Sequence, residues 1–108
     1  MARQPRVVSY ATITIAGTSG TIIGLGSITK TGAMKSFAGV LETAQVRARG
    51  DGTAATATEG VVIEIGSNVY LSEAEFENMQ FIRTGGTSGV LKGHYYDVEV
   101  DALLGLGH

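Results

Sequence analysis

Hydrophobic and polar residues alternate along the first part of the chain in a pattern that is typical of β-strands. In VVSYATITI, residues 7–15, valine and isoleucine are set against Tyr10 and the threonines. The alternation returns in AQVRARG, residues 44–50, where small apolar residues oppose Arg47 and Arg49. A period of two residues indicates a strand with one buried and one exposed face. We therefore predict two strands that each contribute one face to a core.

Glycine-rich segments separate the apolar runs. The tetrapeptide GTSG occurs twice, at residues 17–20 and 86–89. We interpret both copies as hairpin loops, because glycine readily adopts the positive φ angles that tight loops need. TIIGLG (21–26) then predicts another short apolar strand, and GVVIEIGSNVYL (60–71) predicts a strand, a turn and a strand.

The clearest helical signal is SEAEFENM, residues 72–79, where Ser72 and Glu75 have the spacing of a capping box. About seven or eight short strands surround this connector. The predicted fold is all-β, a small antiparallel β-sandwich or jelly-roll-like barrel with one short helical turn. We assign residues 7–100 to this domain, with a flexible N-terminal arm at 1–6 and an apolar C-terminal tail at 101–108.

Composition narrows the classes of function. The 108 residues fit one domain, and 44% of them are hydrophobic, so a core is available. The net charge of −2 predicts no binding to nucleic acid or to a membrane. The chain has no cysteine, which excludes disulfides and thiolate metal sites. Because MARQPR is not followed by an apolar signal core, we expect a soluble protein made without a cleaved signal.

Residues that could perform catalysis are few and dispersed. The two histidines are His94, which we interpret as a half-exposed strand residue, and His108 at the chain end. The glutamates at 73, 75 and 77 diverge around a helix axis, and GLGSIT (24–29) lacks the third glycine of a dinucleotide fingerprint. We predict no catalytic, cofactor-binding or metal-binding residue, no cofactor, and a protein that is not an enzyme.

The Arg49-Gly50-Asp51 triplet has two interpretations. Asp51 and Gly52 form a strong two-residue turn signal, so the triplet can mark the bend of a hairpin. An exposed loop of this kind can also present Arg49 and Asp51 to a cell-surface receptor or a glycan. Both interpretations stay open on the sequence alone.

The segment Ala44–Val100 resembles small virion-associated structural proteins of tailed bacteriophages. The resemblance is carried by an ordered set of short motifs: an Arg-x-Arg strand (Arg47, Arg49), Asp-Gly-Thr (51–53) with a further threonine (Thr56), a closing glycine (Gly60), a Phe-Ile strand (Phe81, Ile82) and paired tyrosines in the last strand (Tyr95, Tyr96).

The resemblance implies a β-sandwich subunit of a phage particle. The expected role is that of a capsid decoration or cement protein, with a neck or tail component as the alternative. The implied partners are the major capsid protein or other virion proteins and further copies in a homo-oligomer. The implied location is the capsid surface of the virion, after synthesis in the host cytoplasm.

The contact residues that we predict lie at the two ends of the chain and on the exposed hairpin that carries Arg47, Arg49 and Asp51. Leucines on the C-terminal tail either fold back as an edge strand or reach a neighbouring subunit, because exposed apolar groups usually mark contacts. The basic N-terminal arm would reach an acidic partner. The predicted contacts are Arg3, Arg6, Arg47, Arg49, Asp51, Leu103, Leu104 and Leu106.

Overall fold

The computed structural model describes residues 6–26, 28–51, 53–56 and 58–100. Within these ranges the chain forms seven strands and two short helices. In chain order they are β1 (Val7–Ile15), α1 (Ile22–Leu25), β2 (Ser36–Glu42), β3 (Val46–Arg49), β4 (Val61–Ile63), β5 (Asn68–Ser72), α2 (Glu73–Asn78), β6 (Gln80–Arg83) and β7 (Gly89–Tyr96).

The strands form two antiparallel sheets that pack together. Sheet A has the order β1-β7-β2-β5, and sheet B has the order β4-β3-β6. All five strand pairings are antiparallel. The predicted all-β sandwich is therefore confirmed, and the barrel alternative is not, because the strands of the described residues do not close into a barrel.

The core lies between the two sheets and follows the alternation in the sequence. On β1 the odd positions from Ala11 to Ile15 are buried and Thr12 and Thr14 are exposed. Tyr95 of β7 packs its ring against Phe37 and Phe76, with both centroid distances at 5.1 Å. One cluster joins residues of both sheets: Ala11, Ile13, Ile15, Phe37, Leu41, Val69, Leu71, Leu91 and Tyr95 from sheet A and Val46, Ala48 and Phe81 from sheet B, with Ile22, Met34 and Phe76.

A helical turn replaces the strand that we predicted at residues 21–26. Thr21 is the N-cap of α1, and its side-chain oxygen accepts a hydrogen bond from the Gly24 N–H at 3.1 Å. Ile22 is fully buried in the core. A threonine cap and one buried isoleucine are enough to fix a single turn. The part of the chain that the structure describes thus contains helices α1 and α2, where the sequence predicted one helical turn.

The two GTSG segments are not hairpin loops, so that interpretation was wrong. The first leads from β1 into α1, and the second joins β6 in sheet B to β7 in sheet A. Each strand next to these loops pairs with a strand that is distant in the sequence: β1 pairs with β7, and β6 pairs with β3. Glycine permits a turn but does not specify which strands pair after it.

The predicted capping box of α2 is present. The Ser72 hydroxyl accepts a hydrogen bond from the Glu75 N–H, and the Glu75 carboxylate accepts one from the Ser72 N–H. The two bonds satisfy backbone donors that the first turn leaves unpaired. They orient α2 so that Phe76 enters the core against Tyr95.

Candidate interaction surface

The Arg49-Gly50-Asp51 triplet lies at the end of β3, where the two charged side chains bind each other. Arg49 Nε donates to Asp51 Oδ1 at 2.8 Å, and Nη2 donates to Oδ2 at 3.0 Å. The Thr53 N–H also donates to Oδ1 at 3.2 Å. These bonds, the one from Arg49 foremost, hold the pKa of the Asp51 carboxyl below its ordinary value.

Strands β3 and β4 form an antiparallel hairpin with a long connecting loop. The two strands pair directly, with Ala48 opposite Val61, but the connection runs from residue 50 to residue 60. The triplet therefore lies in a hairpin, as the first of its two interpretations expected. Asp51 forms a local bend at the start of the loop, because its carboxylate accepts a hydrogen bond from the Thr53 N–H.

The other motif residues of this segment hold the same loop in place. The Arg47 guanidinium donates to the carbonyl oxygen of Gly60 at 2.8 Å. The Thr56 hydroxyl accepts from the N–H groups of Thr58 and Glu59 at 3.3 and 3.0 Å. Gly60 has a φ of 134°, which favours glycine. Described residues of the resemblance, namely the two arginines, Asp51, Thr56 and Gly60, thus have structural roles in the loop.

The remaining predicted contacts are at the chain ends. Arg6 joins the body of the domain through its backbone: its N–H donates to Asp97 Oδ1 at 2.9 Å, and the Asp97 N–H donates to its carbonyl at 3.2 Å. Arg6 is the one residue of the predicted 1–6 arm within the described ranges. Arg3, Leu103, Leu104 and Leu106 lie outside the described residues.

The face of sheet A that points away from sheet B carries exposed aromatic and aliphatic side chains. We call it the outer face and define it by Tyr10, Val40, Tyr70, His94 and Tyr96. Tyr10 is 55% exposed, Tyr70 44% and Val40 39%. The sequence analysis did not select these residues, although the alternation in residues 7–15 already placed Tyr10 opposite the buried positions.

Strand register brings the outer-face residues into one row. Tyr10 is opposite His94, His94 is opposite Ala38, and Ala38 is opposite Tyr70, so the row crosses all four strands of sheet A. The ring centroids of Tyr10 and His94 are 5.3 Å apart, and those of His94 and Tyr96 are 6.1 Å apart. Such distances are typical of tilted and edge-on aromatic pairs. His94 is half-buried in this row, as expected for a strand histidine.

A charged pair lies next to this row on the same face. Lys92 and Glu42 lie on adjacent strands with a Nζ to Oε1 distance of 3.5 Å, and both are about half exposed. An exposed pair of this kind contributes little to stability. The outer face therefore combines an apolar centre with a polar margin, which is the composition of many protein contact surfaces.

Two open grooves lie on the side of the sandwich where β5 and α2 meet sheet B. The larger, of about 550 Å³, is lined by Gly50, Ala74, Glu75, Asn78 and Met79. The smaller, of about 370 Å³, lies between β4 and β5 and also includes Glu75 and Met79. The Glu75 carboxylate already accepts the capping-box hydrogen bond. Neither groove brings together the groups of a catalytic site.

Among residues 6–26, 28–51, 53–56 and 58–100, no three histidine, aspartate or glutamate side chains are arranged to hold a metal ion. No helix within that part of the chain is long and apolar enough to cross a membrane. Comparisons of the chain with protein-family models, with curated proteins and with solved structures found no significant match.

Proposed function

We propose that this protein is a non-enzymatic structural subunit of a bacteriophage virion, most simply a decoration or cement protein that stabilises the head shell. In this proposal the outer face of sheet A binds the major capsid protein or another virion protein, and the subunit forms a homo-oligomer on the capsid surface. No cofactor is needed for this function.

The observation that carries the proposal is the uncovered row on the outer face. Single exposed apolar side chains are common on proteins, but a contiguous group across four strands is typical of a contact surface. Tyr10 and Tyr70 at its two ends offer large, rigid rings with a polar hydroxyl, which suits binding at low cost in conformational entropy. The resemblance of residues 44–100 to virion proteins supports the choice of partner.

The proposed mechanism is stabilisation by mass action. A subunit that binds the assembled shell but not its free components shifts the equilibrium toward the assembled state. This mechanism requires a surface of fixed shape and no reactive group. The outer face meets the first requirement because its side chains project from four paired strands.

Quantitative mass spectrometry of virions made from the genome that encodes the chain tests the assignment. A copy number close to that of the main shell protein supports decoration of the head. A copy number that fits one small ring supports the neck or tail alternative. Absence of the chain from purified virions would contradict both.

Substitutions on the outer face test the proposed surface. The double variant Tyr70→Ser, Val40→Thr removes two exposed apolar groups and should weaken binding to undecorated particles about ten-fold or more. The matched control is Val61→Thr, Ile65→Ser, because these residues are also exposed, at 72% and 58%, but lie outside the outer face. Equal binding by the two double variants would exclude the outer face as the contact.

Receptor or glycan recognition through the 49–53 loop is the alternative that the sequence left open. The pairing of Arg49 with Asp51 does not favour it, because a partner would first have to separate the two groups. The variant Asp51→Ala distinguishes the functions. Loss of cell or glycan binding with unchanged particle stability would favour recognition, whereas unchanged binding would remove that alternative.

A further inference from the structure

Strand β1 forms one edge of sheet A. Along most of its length, the edge opposite β7 is not paired with another described strand. Strand β1 pairs with β7 along its length and with no other strand of the described residues. Just after the C-terminal end of β1, the Arg83 N–H donates to the carbonyl of Ala16 at 3.0 Å. Strand β6 therefore covers the edge only at this end. The rest of the edge has no backbone partner among the described residues.

The register of sheet A identifies the backbone groups on this open edge. Leu41 exchanges hydrogen bonds with the turn before β5: its N–H donates to Ser67, and its carbonyl accepts from Gly66. Along an antiparallel strand, successive residues direct their N–H and C=O groups to opposite neighbouring strands. Because Leu41 directs these groups toward β5, the even residues of β2 direct theirs toward β7. The even residues of β2 are paired with even residues of β7, so the odd residues of β7 direct their backbone groups toward β1. These are paired with the odd residues of β1, which therefore direct their backbone groups toward β7.

It follows that Tyr10, Thr12 and Thr14 direct their N–H and C=O groups to the open edge. The bond from Arg83 to Ala16, the next even residue, lies on this same side and agrees with the assignment. The regular part of the edge begins after Ser9, because the register shifts between Val7 and Ser9.

This edge lacks most of the features that normally prevent strands from pairing. Edge strands are usually short, or carry lysine or proline. The nine residues of β1 contain no charged residue and no proline. The other edge strands are shorter, with five residues in β5, three in β4 and four in β6, and β6 is also bridged by Gly20.

We propose that β1 pairs antiparallel with β1 of a second copy of this chain, around a two-fold axis at Thr12. In this register Thr12 faces Thr12 of the second copy, and Tyr10 faces Thr14 of the second copy. The three facing pairs supply about six backbone hydrogen bonds. Antiparallel pairing of a strand with itself suits two-fold symmetry, and an uncharged strand places no like charges opposite each other.

The dimer would join the two four-stranded sheets into one sheet of eight strands. The outer-face rows of both copies would then lie on one continuous surface, since Tyr10 stands at the shared edge. This inference deepens the proposed function by identifying its self-association surface. It is tested on purified protein without particles, so its failure is distinguishable from failure of the particle assay.

Disulfide cross-linking of the full chain tests the register directly. The chain has no cysteine, so every cross-link would come from an introduced residue. A hydrogen-bonded antiparallel pair has a Cα to Cα distance of about 5.5 Å, which a disulfide can span. Thr12→Cys should therefore give a covalent dimer on mild oxidation. Thr14→Cys should not, because the two copies of residue 14 would be about 13 Å apart.

Sedimentation velocity measures the same interface without covalent chemistry. Thr12→Lys places a charge on the open edge and should raise the dimer dissociation constant about ten-fold or more. Asn68→Lys makes the same change on β5, at the opposite edge of sheet A, and should leave the constant within about two-fold. Near-UV circular dichroism checks that both variants keep the fold.

Three results would overturn the inference. The first is a wild-type chain that stays monomeric at all concentrations. The second is cross-linking of Thr14→Cys but not of Thr12→Cys. The third is equal weakening by Thr12→Lys and Asn68→Lys. If Thr12→Lys does not fold, the cross-linking pair alone decides, because cysteine is close to threonine in size.

Discussion

At the scale of single residues, two glycines allow the middle strands of sheet A to pair closely. Gly39 and Gly93 are opposite each other on β2 and β7, and the Phe37 ring lies over them. A Cβ at Gly93 would collide with the carbonyl oxygen of Ala38 and lie 2.6 Å from the Gly39 Cα. Both atoms belong to the backbone and cannot move aside without distorting the sheet.

Gly93→Ala should therefore destabilise the protein by about 1–3 kcal/mol, the usual range for an overpacked core. Gly85→Ala is the control, because no atom lies within 4 Å of a Cβ built there. Its effect should stay within about 0.5 kcal/mol. Urea unfolding of the two variants measures the difference. Equal midpoints would show that the sheet can accommodate a methyl group at position 93.

Tyr95 has a buried hydroxyl with no hydrogen-bond partner among the described residues, although its ring is well packed. Removal of an unpaired buried polar group is neutral or stabilising when the shape is kept. Tyr95→Phe should therefore preserve the fold and raise the free energy of unfolding by up to about 1 kcal/mol. A decrease in the free energy of unfolding would mean that the hydroxyl has a hydrogen-bond partner in solution.

The buried Tyr95 hydroxyl should also make the free energy of unfolding depend on pH in the alkaline range. Burial raises the pKa of Tyr95 from 10.0 to about 12. A raised pKa in the folded state means that the neutral form stabilises the fold below pH 10. This contribution is lost as the pH rises from 10 to 12. The wild type should lose more stability than Tyr95→Phe across that window, as measured by urea unfolding at each pH; parallel losses would contradict the assignment.

At the scale of elements, α2 depends on its N-cap and its ion pairs. Ser72→Ala removes one bond of the capping box and should cost about 1 kcal/mol, whereas Ser72→Thr keeps a capping hydroxyl and should cost less. Thermal unfolding followed by circular dichroism compares the two. Equal losses would indicate that the hydroxyl does not act as a cap.

The loop before β2 is joined to α2 by charge. Lys30 binds Glu73 and lies 3.5 Å from Glu77, and Lys35 lies 3.8 Å from Glu73. The hydrogen bond from Lys30 is the main reason that the pKa of Glu73 is lowered. A lowered pKa stabilises the fold at neutral pH, and the contribution is lost as the pH falls through the folded-state value. All of these groups are partly exposed, so salt should weaken the contacts.

Local signals in the sequence predicted the elements that depend on near neighbours. The Ser72 and Glu75 spacing gave α2, and the alternation at residues 44–50 gave β3 with its buried Val46. The turn α1 was missed because four residues are too few to show a helical period, although Thr21 was available as a cap signal. Pairing partners were not predictable, because glycine-rich loops do not determine which strand lies alongside.

The candidate surface was harder to predict than the fold, because it depends on which strands pair and in which register. Tyr10, Ala38, Tyr70 and His94 are far apart in the sequence and meet only through the register of four strands. Alternation predicts that Tyr10 faces outward but not which residues lie beside it. The charged residues that were easy to select, such as Arg47 and Arg49, proved to bind within their own loop.

At the scale of the whole molecule, β7, the last of the described strands in sequence, joins the strands of sheet A. β7 lies in sheet A between β1 and β2, so these strands cannot join until residues 89–96 are present. The two sheets are also connected through side chains of one core. Val46 of β3 packs on the backbone of β7, where a Cβ on Gly89 would lie 2.5 Å from Val46 Cγ1. Such packing should make the sheets unfold together.

Val46→Ala tests this cooperativity, because Val46 is in sheet B while all four tyrosines, at positions 10, 70, 95 and 96, are in sheet A. Loss of the buried methyl groups should cost about 2 kcal/mol. If the sheets form one cooperative unit, the tyrosine near-UV signal and the far-UV signal should shift to the same lower urea midpoint. Val61→Ala, the same change at a position 72% exposed, should leave both midpoints unchanged. A tyrosine transition that stays at the wild-type midpoint in Val46→Ala would show that sheet A unfolds independently of sheet B.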